Sequence, residues 1–276
     1  MSPIDAPLTN WFFGLDMWIV LVGMVLLIGA AVLVGHRWGE QVGQNAAESS
    51  DIGTLAAGAL GLLALLVAFC FSIALDSYNT RRALVIEEAA SIDSVADQAM
   101  MLPPMQKGAV LSTLSDYAAT RANLGARYDP RQSERDEARS RLQLSNLWKL
   151  TEAADAANPN SWAVNRFANA LEAMSIIQEK RVAARHYHIP IAVIGMLVGT
   201  SIVAMGFTGF HTGVAGAERL AAGLIMAVTL AVSILLIIDI DRPARGSFKM
   251  PRQALIAASA HVNALLAEVV APSPPR

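Results

Sequence analysis

LLALLVAFCFSIALDSYNTRRAL, residues 62–84, decides how the rest of the chain is read. From Leu62 to Leu75 it carries no charge; then Asp76, Arg81 and Arg82 arrive within two helical turns. No Gly or Pro falls between Leu62 and Met101. An apolar helix therefore runs straight on into a polar one, and Pro103 and Pro104 stop it. Beyond Arg82 the residues Val85, Ala89, Ile92, Ala96 and Ala99 recur at steps of four and three, which marks one buried helical face.

Extended backwards, the uncharged run reaches Ile52, long enough to cross a bilayer, which takes about 20 apolar residues. Three more runs meet that length: Trp11 to Val34, with Asp16 near its start, Ile189 to Phe210, and Leu220 to Ile238. The composition agrees. Of the 276 residues 54% are hydrophobic and 16% charged, against about 25% charged in soluble domains. The net charge of −2 supplies no basic field for nucleic acid. Cys70, the single cysteine, excludes an internal disulfide and a cysteine metal cluster. No Lys or Arg precedes the first apolar run, so it reads as an anchor rather than a secretory signal.

The expected fold is all-α: four transmembrane helices with a cytoplasmic helical domain. Residues 1–75 hold the first two spans, 76–187 the helical domain, 188–240 the last two spans and 241–276 a tail. Gly35, Gly39 and Gly43 read as helix breakers after the first span, and Gly209, His211, Thr212 and Gly213 as a turn between the last two. In the domain, Val110, Leu114, Tyr117 and Leu124 mark a second helix, Ser133 to Ala157 a third, and Ser161 caps a fourth with Phe167, Leu171, Met174 and Ile177 as its stripe. That helix is expected to continue through Ile189 and Pro190 into the third span.

Basic residues set the orientation. Arg81, Arg82, Lys180, Arg181, Arg185, Arg242, Arg245, Lys249 and Arg252 lie near the membrane on one side, Arg37 and Arg219 on the other. The richer side is cytoplasmic by the positive-inside rule, which places both termini and the domain there, in a multi-pass protein of the inner (plasma) membrane.

The quoted stretch, with its apolar helix ending in Asp76-x-Tyr78-x-x-Arg81-Arg82, resembles the bestrophin-like group of bacterial membrane proteins. A second motif resembles that group's signature after the last span: Asp241, Arg242, Pro243 and Gly246. More distantly the chain is similar to bestrophins proper, whose second span ends in a Phe followed by an Asp-Arg-Trp-Trp-type run; Phe69, Asp76, Tyr78 and Arg82 hold similar spacing, while Ser77 and Asn79 depart from it. The resemblance implies four spans, a homo-oligomer (a pentamer in bestrophins), and passive conduction of inorganic ions, anions favoured by analogy.

Each candidate site has two readings. Leu62, Leu65, Phe69 and Ile73 share a face and line a pore or pack within the bundle. Asp76, Arg81, Arg82 and Glu88 form a charged cytoplasmic mouth or anchor the helix at lipid headgroups. Asp239 and Asp241 offer oxygens to a cation or end the helix; two carboxylates fall short of the roughly six to eight oxygens calcium takes. Asp16 lies close enough to the interface to be solvated, although intramembrane acids mark ion paths. His186 and His188, two apart, do not share a face for a metal. Gly195 and Gly199 form a GxxxG that admits a close helix, in this chain or another. No nucleotide, hydrolase or zinc-protease motif and no cofactor fingerprint occurs, so an enzyme is not expected. Two functions lead, with a membrane enzyme third: an ion channel in the lipid bilayer, or a non-conducting scaffold or signalling protein whose cytoplasmic helices bind a partner.

Overall fold

A computed structural model describes residues 16–42, 46–124, 130–185, 189–215, 220–242 and 252–271, the side chains of 46–52 and 130 excepted. Among the described residues every regular element is a helix: α1 (Met17–Val42), α2 (Ala46–Ala99), α3 (Pro104–Asn123), α4 (Pro130–Ala157), α5 (Trp162–Arg185), α6 (Ile191–Ala215), α7 (Leu220–Asp241) and α8 (Gln253–Val270). The all-α class holds. Among the described residues five helices are long and apolar enough to cross a membrane: α1, the part of α2 from Gly53, α6, α7 and α8. The chain divides into two compact units, with the boundary in α2 between Tyr78 and Asn79.

In the first unit, α1 buries Val20, Met24, Ile28 and Val32, one residue per turn. These pack with Leu63, Cys70 and Ala74 of α2, Leu197, Ala204 and Met205 of α6, and Ala227, Ala231, Ile234 and Ile238 of α7. The outer faces are apolar too, with Trp18, Val22, Leu26, Met196, Val203, Ile225 and Val232 exposed. So much apolar surface is stable in lipid or against another protein, not in water.

The glycines depart from the expected breakers and turn. Gly35 and Gly39 lie inside α1, and Gly209, His211, Thr212 and Gly213 inside α6; Gly43 falls outside the described residues. A Cβ on Gly35 would collide with the carbonyl of Gly206, on Gly39 with that of Phe210, on Gly209 with that of Val32, and on Gly213 with that of His36. Two GxxxG pairs thus let α1 and α6 touch backbone to backbone. Within lipid a helix keeps its own hydrogen bonds, so glycine there makes a contact surface instead of a break. The same seam buries His36, whose Nδ1 lies 3.2 Å from Thr212 Oγ1; that hydroxyl donates to the Gly209 carbonyl at 2.7 Å. The expected pair, Gly195 and Gly199, meets open space among the described residues.

The second unit is a helical bundle. Its core joins Val85, Ile92 and Ala96 of α2 to Val110, Leu114 and Tyr117 of α3, Leu147 of α4, and Phe167, Leu171 and Met174 of α5. α3 opens with Pro104 in its first turn, and Asn160, in the left-handed region at φ 62°, turns the chain between α4 and α5. Two boundaries differ from expectation. α5 ends at Arg185 and α6 starts at Ile191, because Pro190 has no N–H to continue a helix and opens a new one. The C-terminal region forms α8, whose Leu255, Ala258 and Val262 are buried in this unit's core. So although α8 is apolar enough to span, one of its faces is already taken up in the bundle.

The glycine seam is testable by thermal unfolding in detergent. Gly39→Ala or Gly209→Ala should destabilise by about 1–3 kcal/mol or more through overpacking. Gly199→Ala, with open space around it, should stay within about 0.5 kcal/mol.

Candidate functional site

α2 carries the residues singled out from the sequence. Leu62, Leu65 and Phe69 stand 54%, 67% and 64% exposed on the single chain, while Ala56, Leu63, Cys70 and Ala74 on the other side are buried in the bundle. Ile73 lies at the edge of that face, half-buried against the core. The exposed face continues past it through Ser72. In the first unit Gly58, Leu62, Leu65, Phe69, Ser72 and Asp76 are all exposed at steps of four and three, about five turns or about 27 Å; in the second unit Thr80, Ala83, Glu87, Ala90 and Ser94 are exposed at the same spacing. The charged residues among these are Asp76 and Glu87; Arg81 and Arg82 fall off that spacing.

The expected charged cluster after the span is divided. Asp76 and Arg82 are exposed and Arg81 is buried. Glu88 leaves the surface altogether: it is 0% exposed and bridges helices in the second unit. Arg121 of α3 donates through Nε to its Oε1, and Arg181 of α5 through Nη1 to its Oε2. The Tyr117 hydroxyl lies 3.5 Å from Glu88 Oε1 and 3.3 Å from Gln178 Oε1. Arg185 pairs with Glu137, tying in α4. Burial alone would raise the Glu88 pKa, but the Arg121 and Arg181 charges outweigh it and hold the carboxyl below its usual 4.5. Burial, with the neighbouring Arg181 charge, pulls Arg185 down to about 10.

Sequence reasoning missed this cluster, yet the signal was present. Continuing the buried stripe of α5 from Val164, Phe167, Leu171 and Met174 lands on Gln178 and Arg181. The α3 stripe of Val110, Leu114 and Tyr117 lands on Arg121. Polar residues in an apolar register indicate a buried network.

Where α7 ends, Asp239, Asp241 and Arg242 are all buried. Asp241 Oδ2 accepts the Ile189 amide at 3.1 Å, satisfying backbone just ahead of α6. Pro243, Gly246, His186 and His188 lie outside the described residues. Among the described residues no group of three His, Cys, Asp or Glu side chains is placed to hold a metal.

This arrangement of apolar helices and helical bundle is that of a bestrophin-like membrane protein. The chain matches the family described as Bestrophin-like domain over residues 22–255, and it belongs to that family. Its fold is similar to crystal structures of a bacterial bestrophin homolog from Klebsiella pneumoniae. One has 13% identity and a TM-score of 0.64, covering 89% of this chain and 99% of that one. Another has 14% identity and a TM-score of 0.61, covering 94% and 100%. A third has 15% identity and a TM-score of 0.60, covering 90% and 98%; the first and third are of mutated forms of that homolog. No curated protein matches the chain.

The buried carboxylate has a pH signature. With its folded pKa held below 4.5, Glu88 contributes its full stabilisation above that value and loses it as pH falls through the folded value. Glu88→Gln should cost about 3–5 kcal/mol by leaving two guanidinium groups facing a neutral partner. It should also flatten the fall in unfolding temperature below pH 4.5, measured by thermal melts across pH.

Proposed function

We propose that this protein assembles into a ring of identical subunits, five by analogy with bestrophins, and conducts inorganic ions passively along an axis lined by α2. The observation that carries the reading is the exposed line on α2. Within the span Leu62, Leu65, Phe69 and the hydroxyl of Ser72 share one exposed face, and Asp76 stands on the same face where the helix leaves the membrane. Around an axis the same line gives an apolar constriction followed by a polar, acidic exit. Leu65 and Phe69, one turn apart, narrow the path and gate it by excluding water. Gly58, at the head of the line, permits close approach of neighbouring copies.

The resemblance brings an expectation of anions. The residues on the line favour cations instead: repeated around a ring, Asp76 and Glu87 form two acidic girdles, and no Lys or Arg shares their face. Four spans, α1, the first part of α2, α6 and α7, cross the inner membrane. Both termini and the second unit lie in the cytoplasm, on the side rich in Lys and Arg.

Purified protein in liposomes should pass Na+ or K+ ahead of Cl−, read as a reversal potential in a salt gradient. Asp76→Asn should move that potential toward zero, and Phe69→Ala should raise flux without loss of assembly. A protein that is monomeric in native membranes and passes no ion would overturn the channel and leave the scaffold. In a Cys70→Ser background, a cysteine at exposed Gln41 should label from outside intact cells, and one at exposed Asn146 only after permeabilisation; the reverse pattern would invert the topology.

A further inference from the structure

A polar cleft of about 350 Å³ opens in the second unit between α2 and α5, lined by Ser94, Gln98, Arg166, Asn169 and Ala170. Arg166 is held in place from two sides. Its Nε donates to Gln98 Oε1 at 3.3 Å, and its guanidinium carbon stands 5.1 Å from the centre of the Trp162 ring. The cation–π contact and the Nε bond restrict the guanidinium, so less side-chain freedom is lost when a ligand arrives. Among the described residues Nε alone is used, so both Nη groups are left to donate. Gln98 accepts through its oxygen, which leaves its amide NH2 as a donor; Asn169 supplies another amide and Ser94 a hydroxyl.

The cleft is lined by donors and by no carboxylate. Two acids adjoin the lining residues along α2, Asp93 beside Ser94 and Asp97 beside Gln98, and neither lines the cleft; Asp97 Oδ1 lies 3.0 Å from His261 Nε2 of α8, and the same histidine acts on Asp93. A pre-positioned guanidinium with two amides and a hydroxyl around it matches the oxygens of an anion, which a planar fork binds two at a time. We propose that this cleft is a binding site for a small oxyanion, a carboxylate or a phosphate, held by Arg166 with Ser94, Gln98 and Asn169 as accessory donors. The assignment stands on the cleft alone and does not require that the chain conduct ions.

The test uses the full-length protein in detergent, titrated calorimetrically with sodium phosphate in one arm and sodium succinate in the other, against sodium chloride at equal ionic strength. Saturable binding is expected in at least one arm; the arm that binds identifies the oxyanion as phosphate or carboxylate. Arg166→Gln should weaken it about tenfold or more, the effect of losing a charged hydrogen-bonding partner. Asn169→Ala should weaken it less. Arg141→Gln, on the exposed face of α4, should leave it unchanged. Arg166 is itself exposed, so its variant should melt at the wild-type temperature without ligand. No saturable binding in either arm, or equal weakening by Arg166→Gln and Arg141→Gln, would overturn the site.

Discussion

One carboxylate organises the helical unit. Glu88 has no contact with solvent, so an isolated negative charge there would be prohibitively costly. Two guanidinium groups from different helices remove that cost, and their geometry leaves little latitude in how α2, α3 and α5 pack. Apolar side chains fill the rest of the core, but they tolerate rotation and sliding of one helix on another. A charge with two obligatory partners does not. The arrangement also carries a surplus: Arg121, Arg181 and Arg185 face Glu88 and Glu137. One guanidinium nitrogen of Arg121 is buried without a hydrogen bond among the described residues.

The membrane unit is fastened by a different means. Hydrophobic burial gives little preference for one helix face over another when lipid is as apolar as the protein. Specificity there comes from close contact, and glycine provides it by removing the side chain that keeps backbones apart. The two units thus use opposite chemistries, a buried charge in one and the absence of side chains in the other. Between their chain segments runs α2, an unbroken helix of 54 residues, which contributes Leu63, Cys70 and Ala74 to one core and Val85, Ile92 and Ala96 to the other.

Much of this was legible in the residues alone. The long apolar runs and the unbroken stretch from Leu62 to Met101 announce membrane helices and a continuous α2, because propensity, pattern and the lack of breakers agree there. The family resemblance rested on the Asp-x-Tyr-x-x-Arg-Arg run and the later Asp-Arg-Pro motif. Glycine misled where composition is ambiguous: Gly35, Gly39, Gly209 and Gly213 look like turn residues in water but like contact residues in lipid. The helix α8 escaped notice because six of its 18 residues are alanine, which carries too little apolar weight to mark a stripe. Glu88 looked like part of a charged mouth with Arg81, because neighbours one or two turns away are visible in sequence whereas partners on α3 and α5 are not.

The hydrogen bond from the Ile189 amide to Asp241 bears on how the chain is made. The two groups are 52 residues apart, and the carboxylate belongs to the far end of α7. When α6 emerges from the ribosome, the acceptor for that amide has not yet been synthesised. The entry to α6 can therefore reach its final form only after α7 has followed it into the membrane, and biogenesis must treat the pair as a hairpin. A chain truncated just before Asp241 would hold both apolar helices and still lack the group that closes them.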